Sequence, residues 1–301
     1  MRRRYSWRRD MTVACLVIAL VAGACGGGDD SGGGGDGDEA AAPTTTTEAS
    51  DEVQILATSA DGLTSPSLDA LVQGTYVLPG VGVAAAASGS TDPSAPPTTP
   101  GEAPATAFAS TASGYPGVSI QADPITAVTA AIAGDIEGIP GGIDLVVVGL
   151  NDGPLVGPLA GFDADIGVAQ AAAAAGVPAV VLSAGLDELP PDHPAALQQL
   201  AAWLDEHGAA LRAGDEPAEV TVLSVPGCGF AQVRGVIEVP VATDDAGRDL
   251  NAVDCTSTAE NPADDIAAFT TGFATLSVLP AATPTPATTV SPGAPTSAAP
   301  G

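Results

Sequence analysis

The run Ile143-Asp144-Leu145-Val146-Val147-Val148-Gly149 holds five apolar residues in seven, with no alternation. A strand with one wet face would alternate apolar with polar, so this run needs cover on both sides. Shorter runs of the same kind recur at Val53–Thr58 (VQILAT), Val81–Ala86, Ala179–Ser183 (AVVLS), Val220–Ser224 and Val236–Val241. Helix-like segments fall between them: Ser65–Gln73 with Pro66 in its first turn, Thr126–Ala133, the Ala-rich Ala164–Ala175, and Pro194–Ala213, which sets Leu197, Leu200, Trp203, Leu204 and Leu211 on one side. Strand and helix in alternation predict an α/β chain, a three-layer, Rossmann-like, mostly parallel sheet with helices on both faces. In such sheets ligands sit beyond the carboxyl ends of the strands. The loops that matter are therefore Ser59–Thr64, Asn151–Asp165 and the chain after Ala86.

Composition divides the 301 residues into unequal parts. Residues 1–24 read as a signal peptide: a basic start, an apolar stretch from Met11 to Ala22 too short for a comfortable membrane span, then small residues. The junction Val21-Ala22-Gly23-Ala24-Cys25 resembles a bacterial lipobox, in which the Cys becomes the lipidated first residue of the mature chain. Ala22 stands where that motif usually has Leu. The reading implies an exported protein held by a lipid on the outer face of the cell membrane. The Arg pairs at the start admit a twin-arginine route as well as the general one. Residues 25–51 form a Gly/Asp-rich linker, 52–280 the folded domain and 281–301 a Pro/Thr/Ala-rich disordered tail. Within the domain, 88–117 is low in complexity and reads as a surface excursion or flap.

Charge narrows the function. Asp and Glu number 36 against 8 Lys and Arg, for a formal net charge of −28, and Arg2, Arg3, Arg4, Arg8 and Arg9 lie in the signal segment. Beyond it the Arg residues are Arg212, Arg234 and Arg248, and there is no Lys. A surface this negative repels nucleic-acid backbones and anionic lipid headgroups. A small anionic substrate would need a metal or a helix N-terminus to offset the field. Outside the signal segment and Cys25 the remaining cysteines are Cys228 and Cys255. In an oxidising compartment they are expected to pair. The alternatives are two buried thiols, or a zinc pair for which neither His193 nor His207 stands at a ligand spacing.

The functional loops carry a set of motifs in register. Ile55-Leu56-Ala57-Thr58-Ser59-Ala60-Asp61-Gly62 leads into Ser65-Pro66-Ser67-Leu68-Asp69-Ala70-Leu71. Asp144-Leu145-Val146-Val147-Val148-Gly149-Leu150-Asn151-Asp152-Gly153 follows, then Phe162-Asp163-Ala164-Asp165-Ile166-Gly167 and Gly176-Val177-Pro178-Ala179-Val180-Val181-Leu182-Ser183. Asp264-Asp265-Ile266-Ala267-Ala268, with Gly272-Phe273 and Ser277-Val278-Leu279, closes the series. Together these resemble the SurE (survival protein E) family of 5′-nucleotidase-like acid phosphatases over nearly all of 52–280.

The resemblance implies a divalent metal, Mg²⁺ or Mn²⁺, held by a pair of Asp, a Ser in the next loop and an Asn. The matching positions are Asp61, which is also the catalytic position, Ser90 (with Ser88 as the alternative) and Asn151. The first Asp of the pair is Ala60 here, and the Asn before it is Ser59. The segment that holds phosphate in the family falls on Asp163, Ala164 and Asp165. A lone carboxylate with neutral oxygens binds a divalent cation more weakly than two carboxylates do. Two Asp at the start of a helix also repel a phosphate that would sit there. Asp163 and Asp165 read either as helix-capping residues or as extra acidic ligands, and the second reading admits Ca²⁺. The implied activity is metal-assisted hydrolysis of a phosphomonoester such as a nucleoside monophosphate. Family members usually form dimers or tetramers, so the resemblance admits a homo-oligomer, a point that the acidic surface and tether leave open. The alternative is a lipoprotein that keeps the fold, has a degenerate site and serves a binding or structural role.

Overall fold

The computed structural model describes residues 51–89, 104–186, 193–229, 231–245 and 247–279. The expected signal peptide, Cys25, nearly all of the linker, Ser90 and the Pro-rich tail lie outside the described residues.

One nine-stranded sheet organises the domain. Its strands are β1 (Val53–Thr58), β2 (Val81–Ser88), β3 (Thr106–Ser110), β4 (Pro116–Ile120), β5 (Leu145–Asp152), β6 (Ala179–Ala184), β7 (Val220–Val225), β8 (Val236–Glu238) and β9 (Ala274–Leu279). They lie in the order β3-β4-β2-β1-β5-β6-β7-β9-β8. From β4 through β2, β1, β5 and β6 to β7 every pairing is parallel, while β3 runs antiparallel to β4 and β9 antiparallel to β7. The helices are α1 (Pro66–Tyr76), α2 (Pro124–Ala133), α3 (Ala164–Ala174), α4 (His193–Ala213) and α5 (Asp265–Thr270). This is the mostly parallel, doubly covered α/β architecture that the alternation of runs predicts.

The two faces of the sheet are covered differently. On one face α2 and α3 contribute small side chains, among them Ala127, Ala131, Ala169 and Ala172, against Val146, Val148 and Val181. On the other face α1 supplies Leu68, Leu71 and Val72, and α4 supplies Leu200, Trp203, Leu204 and Leu211, against Ile55, Leu145 and Val147. Every residue from Leu145 to Leu150 is buried, as a run without alternation requires. The helices start where their sequences direct: Ser65 accepts the Leu68 N–H at 3.2 Å and Asp123 the Thr126 N–H at 3.0 Å, each followed by Pro in the first turn.

Three differences from the sequence reading have physical causes. The described part of 88–117 is not a structureless flap, because β3 and the start of β4 form a hairpin at the sheet edge. Its Thr-Ala-Phe-Ala-Ser strand is exposed throughout and so lacks the apolar signature of a buried one. The strand expected over Val236–Val241 stops at Glu238. Val239 still donates to Leu276, but Pro240 has no N–H to continue. The strand at Ala274–Leu279 belongs to a segment matched above only by motif, and it lies between β7 and β8, one place in from the sheet's edge.

Two buried carboxylates fasten peripheral segments. Asp265, 1% exposed, accepts the N–H groups of Gly157, Ala242 and Ile266, each at 2.8 Å. It thereby joins the loop after β5 to the chain around Pro240 and to α5. Cys228 and Cys255, 27 residues apart, form a disulfide with a Cα–Cα distance of 5.7 Å. Asp69 on α1 accepts the Thr111 hydroxyl, the Ser113 hydroxyl at 2.6 Å, the Ser113 N–H at 2.8 Å and the Gln73 amide at 2.8 Å. Burial pushes this carboxyl up, but the bonds from Ser113, Thr111 and Gln73 outweigh it and hold the group below the usual carboxylate range.

The folded value lies below the unfolded one. The stabilisation from Asp69 is thus complete above the ordinary carboxylate pKa and is lost as pH falls through the depressed folded value. Asp69→Asn is expected to lower unfolding free energy by about 1–2 kcal/mol at pH 7. Denaturant titrations should show the gap to wild type closing as pH drops below about 4.

Candidate functional site

Three chain segments meet at the carboxyl edge of the sheet. The first is the loop between β1 and α1. Ser59 is buried, and its hydroxyl accepts the Asp61 N–H at 3.1 Å. Gly62 turns at φ +95°, and the Asp61 side chain stands exposed. The second segment is the end of β5. Its register against β6 slips between Gly149 and Asn151, so that Gly149 faces Leu182 while Asn151 faces Ser183. Gly149 has φ +110°, and a Cβ there would lie 2.7 Å from the Leu182 carbonyl oxygen, so only glycine fits. The bulge re-aims the strand end and sets the direction of Asn151.

The third segment is the start of α3, and its two acids behave differently. Asp163 caps the helix: its Oδ1 accepts the Asp165 N–H at 2.8 Å, and its Oδ2 accepts the Asn151 amide at 3.0 Å. Asp165 turns inward, is 5% exposed, and accepts the Ala60 N–H at 2.8 Å. Burial raises the Asp165 carboxyl to about 6; the Ala60 N–H pulls it down, and the charges of Asp163 and Asp61 push it further up. The Asp165 carboxyl thus senses the charges of Asp61 and Asp163, and Asn151 is hydrogen-bonded to Asp163.

A cavity of about 510 Å³ opens on the β2 side of Asp61, lined also by Thr64, Ser88, Gly89, Ala109 and Ser119. Ser88 borders it, although its hydroxyl is donated to the Ala122 carbonyl at 2.6 Å. The other expected serine, Ser90, is outside the described residues. Among the described residues no Arg offsets the negative charge. Arg234 lies over the Phe273 ring and bonds the Thr271 and Ala259 carbonyls, Arg248 pairs with Asp264, and Arg212 sits in the last turn of α4.

The donors in the crevice are carboxylate and amide oxygens, a set suited to a hard cation such as Mg²⁺, Mn²⁺ or Ca²⁺. Among the described residues no three His, Cys, Asp or Glu side chains gather as a cation-holding group. Asp61, Asp163 and Asp165 are electrostatic neighbours but are not arranged as a three-carboxylate cage. A metal would rest on Asp61 and Asn151, the two motif positions that the fold brings to this rim.

The motifs alone give no sign of one further pair. His193, the first residue of α4, places Nε2 2.9 Å from Asp152 Oδ1. In the sequence His193 stands in a Pro-rich turn and looks like a surface residue, and its side chain is half-buried. His207 stacks on Trp203 with centroids 4.2 Å apart and bonds Glu216 at 2.9 Å, away from the crevice.

Fold and rim together define a doubly wound α/β protein with an oxygen-lined, electronegative crevice at its sheet edge. The sequence profile of the family described as "Survival protein SurE" matches residues 55–246. The chain belongs to the SurE family. Its fold is similar to the crystal structure of the SurE protein from Aquifex aeolicus, with a TM-score of 0.53 and 18% identity. That likeness covers 76% of this chain and 94% of the Aquifex chain. No curated protein matches the sequence.

A carboxyl group with a folded-state pKa above its unfolded one destabilises the fold wherever it is ionised. Wild type should therefore lose stability as pH rises from about 4 to about 6, the window set by Asp165, and level off above it. Asp165→Asn keeps an acceptor for the Ala60 N–H without the charge. It is expected to be more stable than wild type by about 1–3 kcal/mol at pH 7.5, with the advantage fading towards pH 4 in denaturant titrations.

Proposed function

We propose that the protein is a divalent-metal-dependent phosphomonoester hydrolase of the 5′-nucleotidase and acid phosphatase type, acting on small phosphomonoesters such as nucleoside monophosphates. The observation that carries this reading is the meeting of Asp61 and Asn151 at one rim of the sheet, linked through Asp163, Asp165 and Ala60. A cation bound there would neutralise phosphoryl oxygens and activate a water. The chain's own residues do the rest. Asp163 fixes the Asn151 amide, so that the Asn151 carbonyl oxygen is presented with a set orientation. Asp165 anchors the Ala60 N–H and so holds the loop that carries Asp61. The cavity beside Asp61 leaves open space on the β2 side of the crevice.

A second reading is favoured by one specific observation. Asp163 and Asp165 occupy the start of α3, where the family resemblance expects phosphate to sit, and their charge opposes an anion. On that reading, with Ala60 replacing a carboxylate, the site is degenerate and the chain serves a binding or structural role. Hydrolysis of p-nitrophenyl phosphate with Mg²⁺ or Mn²⁺ separates the two. The hydrolase reading expects turnover that Asp61→Asn lowers by roughly two orders of magnitude. No turnover with Mg²⁺, Mn²⁺ or Ca²⁺ would leave the binding reading.

The same proposal places the protein outside the cytoplasm, lipid-anchored to the cell membrane through Cys25 and forming a homo-oligomer by family resemblance. The Cys228–Cys255 disulfide supports an oxidising compartment. Among the described residues no helix is long and apolar enough to cross a membrane. Metabolic labelling with an alkyne fatty acid should mark the wild-type protein, and Cys25→Ser should abolish the label. A label that survives the substitution would remove the anchor at Cys25.

A further inference from the structure

Among the described residues, the rim lacks a proton donor that can reach a departing group. Ionised carboxylates only accept hydrogen bonds, and the Asn151 amide is not an acid. Asp165 is buried beneath Ala60. An alkyl phosphomonoester releases a strongly basic alkoxide, so its hydrolysis gains from a positioned acid.

The His193–Asp152 pair has the required features. Asp152 directly follows Asn151, and the two face Ala184 and Ser183 on the last rungs of the β5–β6 ladder. Asn151 turns to α3 through Asp163, whereas Asp152 turns to α4 through His193. The two therefore flank the sheet edge from opposite faces, and a substrate straddling that edge meets both. The His193 ring is held on one nitrogen by a carboxylate, while about a quarter of its side chain stays exposed, at 24%. Among the described residues its other nitrogen, Nδ1, takes no hydrogen bond. A ring fixed at Nε2 and open at Nδ1 is the arrangement of an oriented acid.

We infer that His193, positioned by Asp152, is the general acid that protonates the leaving alcohol. The inference rests on the hydrolase reading above. As the phosphorus–oxygen bond breaks, its electron pair goes to the leaving oxygen, which takes the proton from Nδ1. The imidazole is left neutral, with its Nε2–H still donated to Asp152, and water returns the proton.

The test compares two substrates that differ in their need for that proton. Without an acid, glycerol phosphate must expel a strongly basic alkoxide, whereas p-nitrophenyl phosphate expels a stable phenolate. Full-length wild type, His193→Gln and Asp152→Asn are assayed on both with Mg²⁺ or Mn²⁺, and melting curves confirm that each variant folds. His193→Gln is expected to lose about 10²- to 10³-fold in kcat on glycerol phosphate but less than about tenfold on p-nitrophenyl phosphate. Asp152→Asn should show the same selectivity with a smaller loss. Equal losses on the two substrates, or none on either, would overturn the assignment while leaving the hydrolase reading intact. A wild type inactive on both would remove the hydrolase reading and the assignment with it.

Discussion

Burial of β5 on both faces is the constraint from which the site follows. Valines 146 to 148 are covered by α2 and α3 on one side and by α1 and α4 on the other, so no part of the strand's length can meet a ligand. Chemistry is confined to the strand ends, where helices begin and backbone groups need partners. The Gly149 bulge sits at that transition. It shifts the register against β6 and turns Asn151 towards the start of α3, while Asp152 beside it reaches the start of α4.

The layout was legible in the sequence because its core signal is strong. Uninterrupted apolar runs marked β1, β2, β5, β6 and β7, and Pro66 marked the start of α1, whereas the parallel strand β4 carried no such run and α2 begins at Pro124, two residues before the helix read from Thr126. The sheet margins were less visible. The β3 residues are exposed throughout and carry no periodic apolar pattern, and β8 ends where Pro240 cannot donate. At the site, the meeting of segments 59–64, 151–153 and 163–165 could be read from motif order. The inward turn of Asp165 could not, since Asp at a first helical turn ordinarily caps or faces water. Its partner, the Ala60 N–H, is 105 residues away in the chain. The His193–Asp152 pair was hidden for the same reason, because its members are 41 residues apart and belong to no common motif.

Charge runs through the whole molecule and is concentrated at the crevice. The net charge is −28, and the Arg side chains among the described residues are committed to Phe273, to Asp264 and to the far end of α4. The three acids around Ala60 accordingly meet no counter-charge from a described Arg, and burial leaves Asp165 with a carboxyl that releases its proton only near pH 6. A crevice with this field attracts cations and resists free anions. An anionic substrate and a bound cation would therefore be mutually dependent occupants.

The placement of β9 bears on how the chain is assembled. It lies between β7 and β8 and runs antiparallel to β7, and β8 has β9 as its neighbour in the sheet. The last strand among the described residues is thus an interior one, and it is the neighbour of β8 in the sheet. A chain emerging from the ribosome can bring β1 to β7 together, but β8 and α5 wait until β9 slots in. The sheet is therefore completed only when nearly the whole domain has been synthesised.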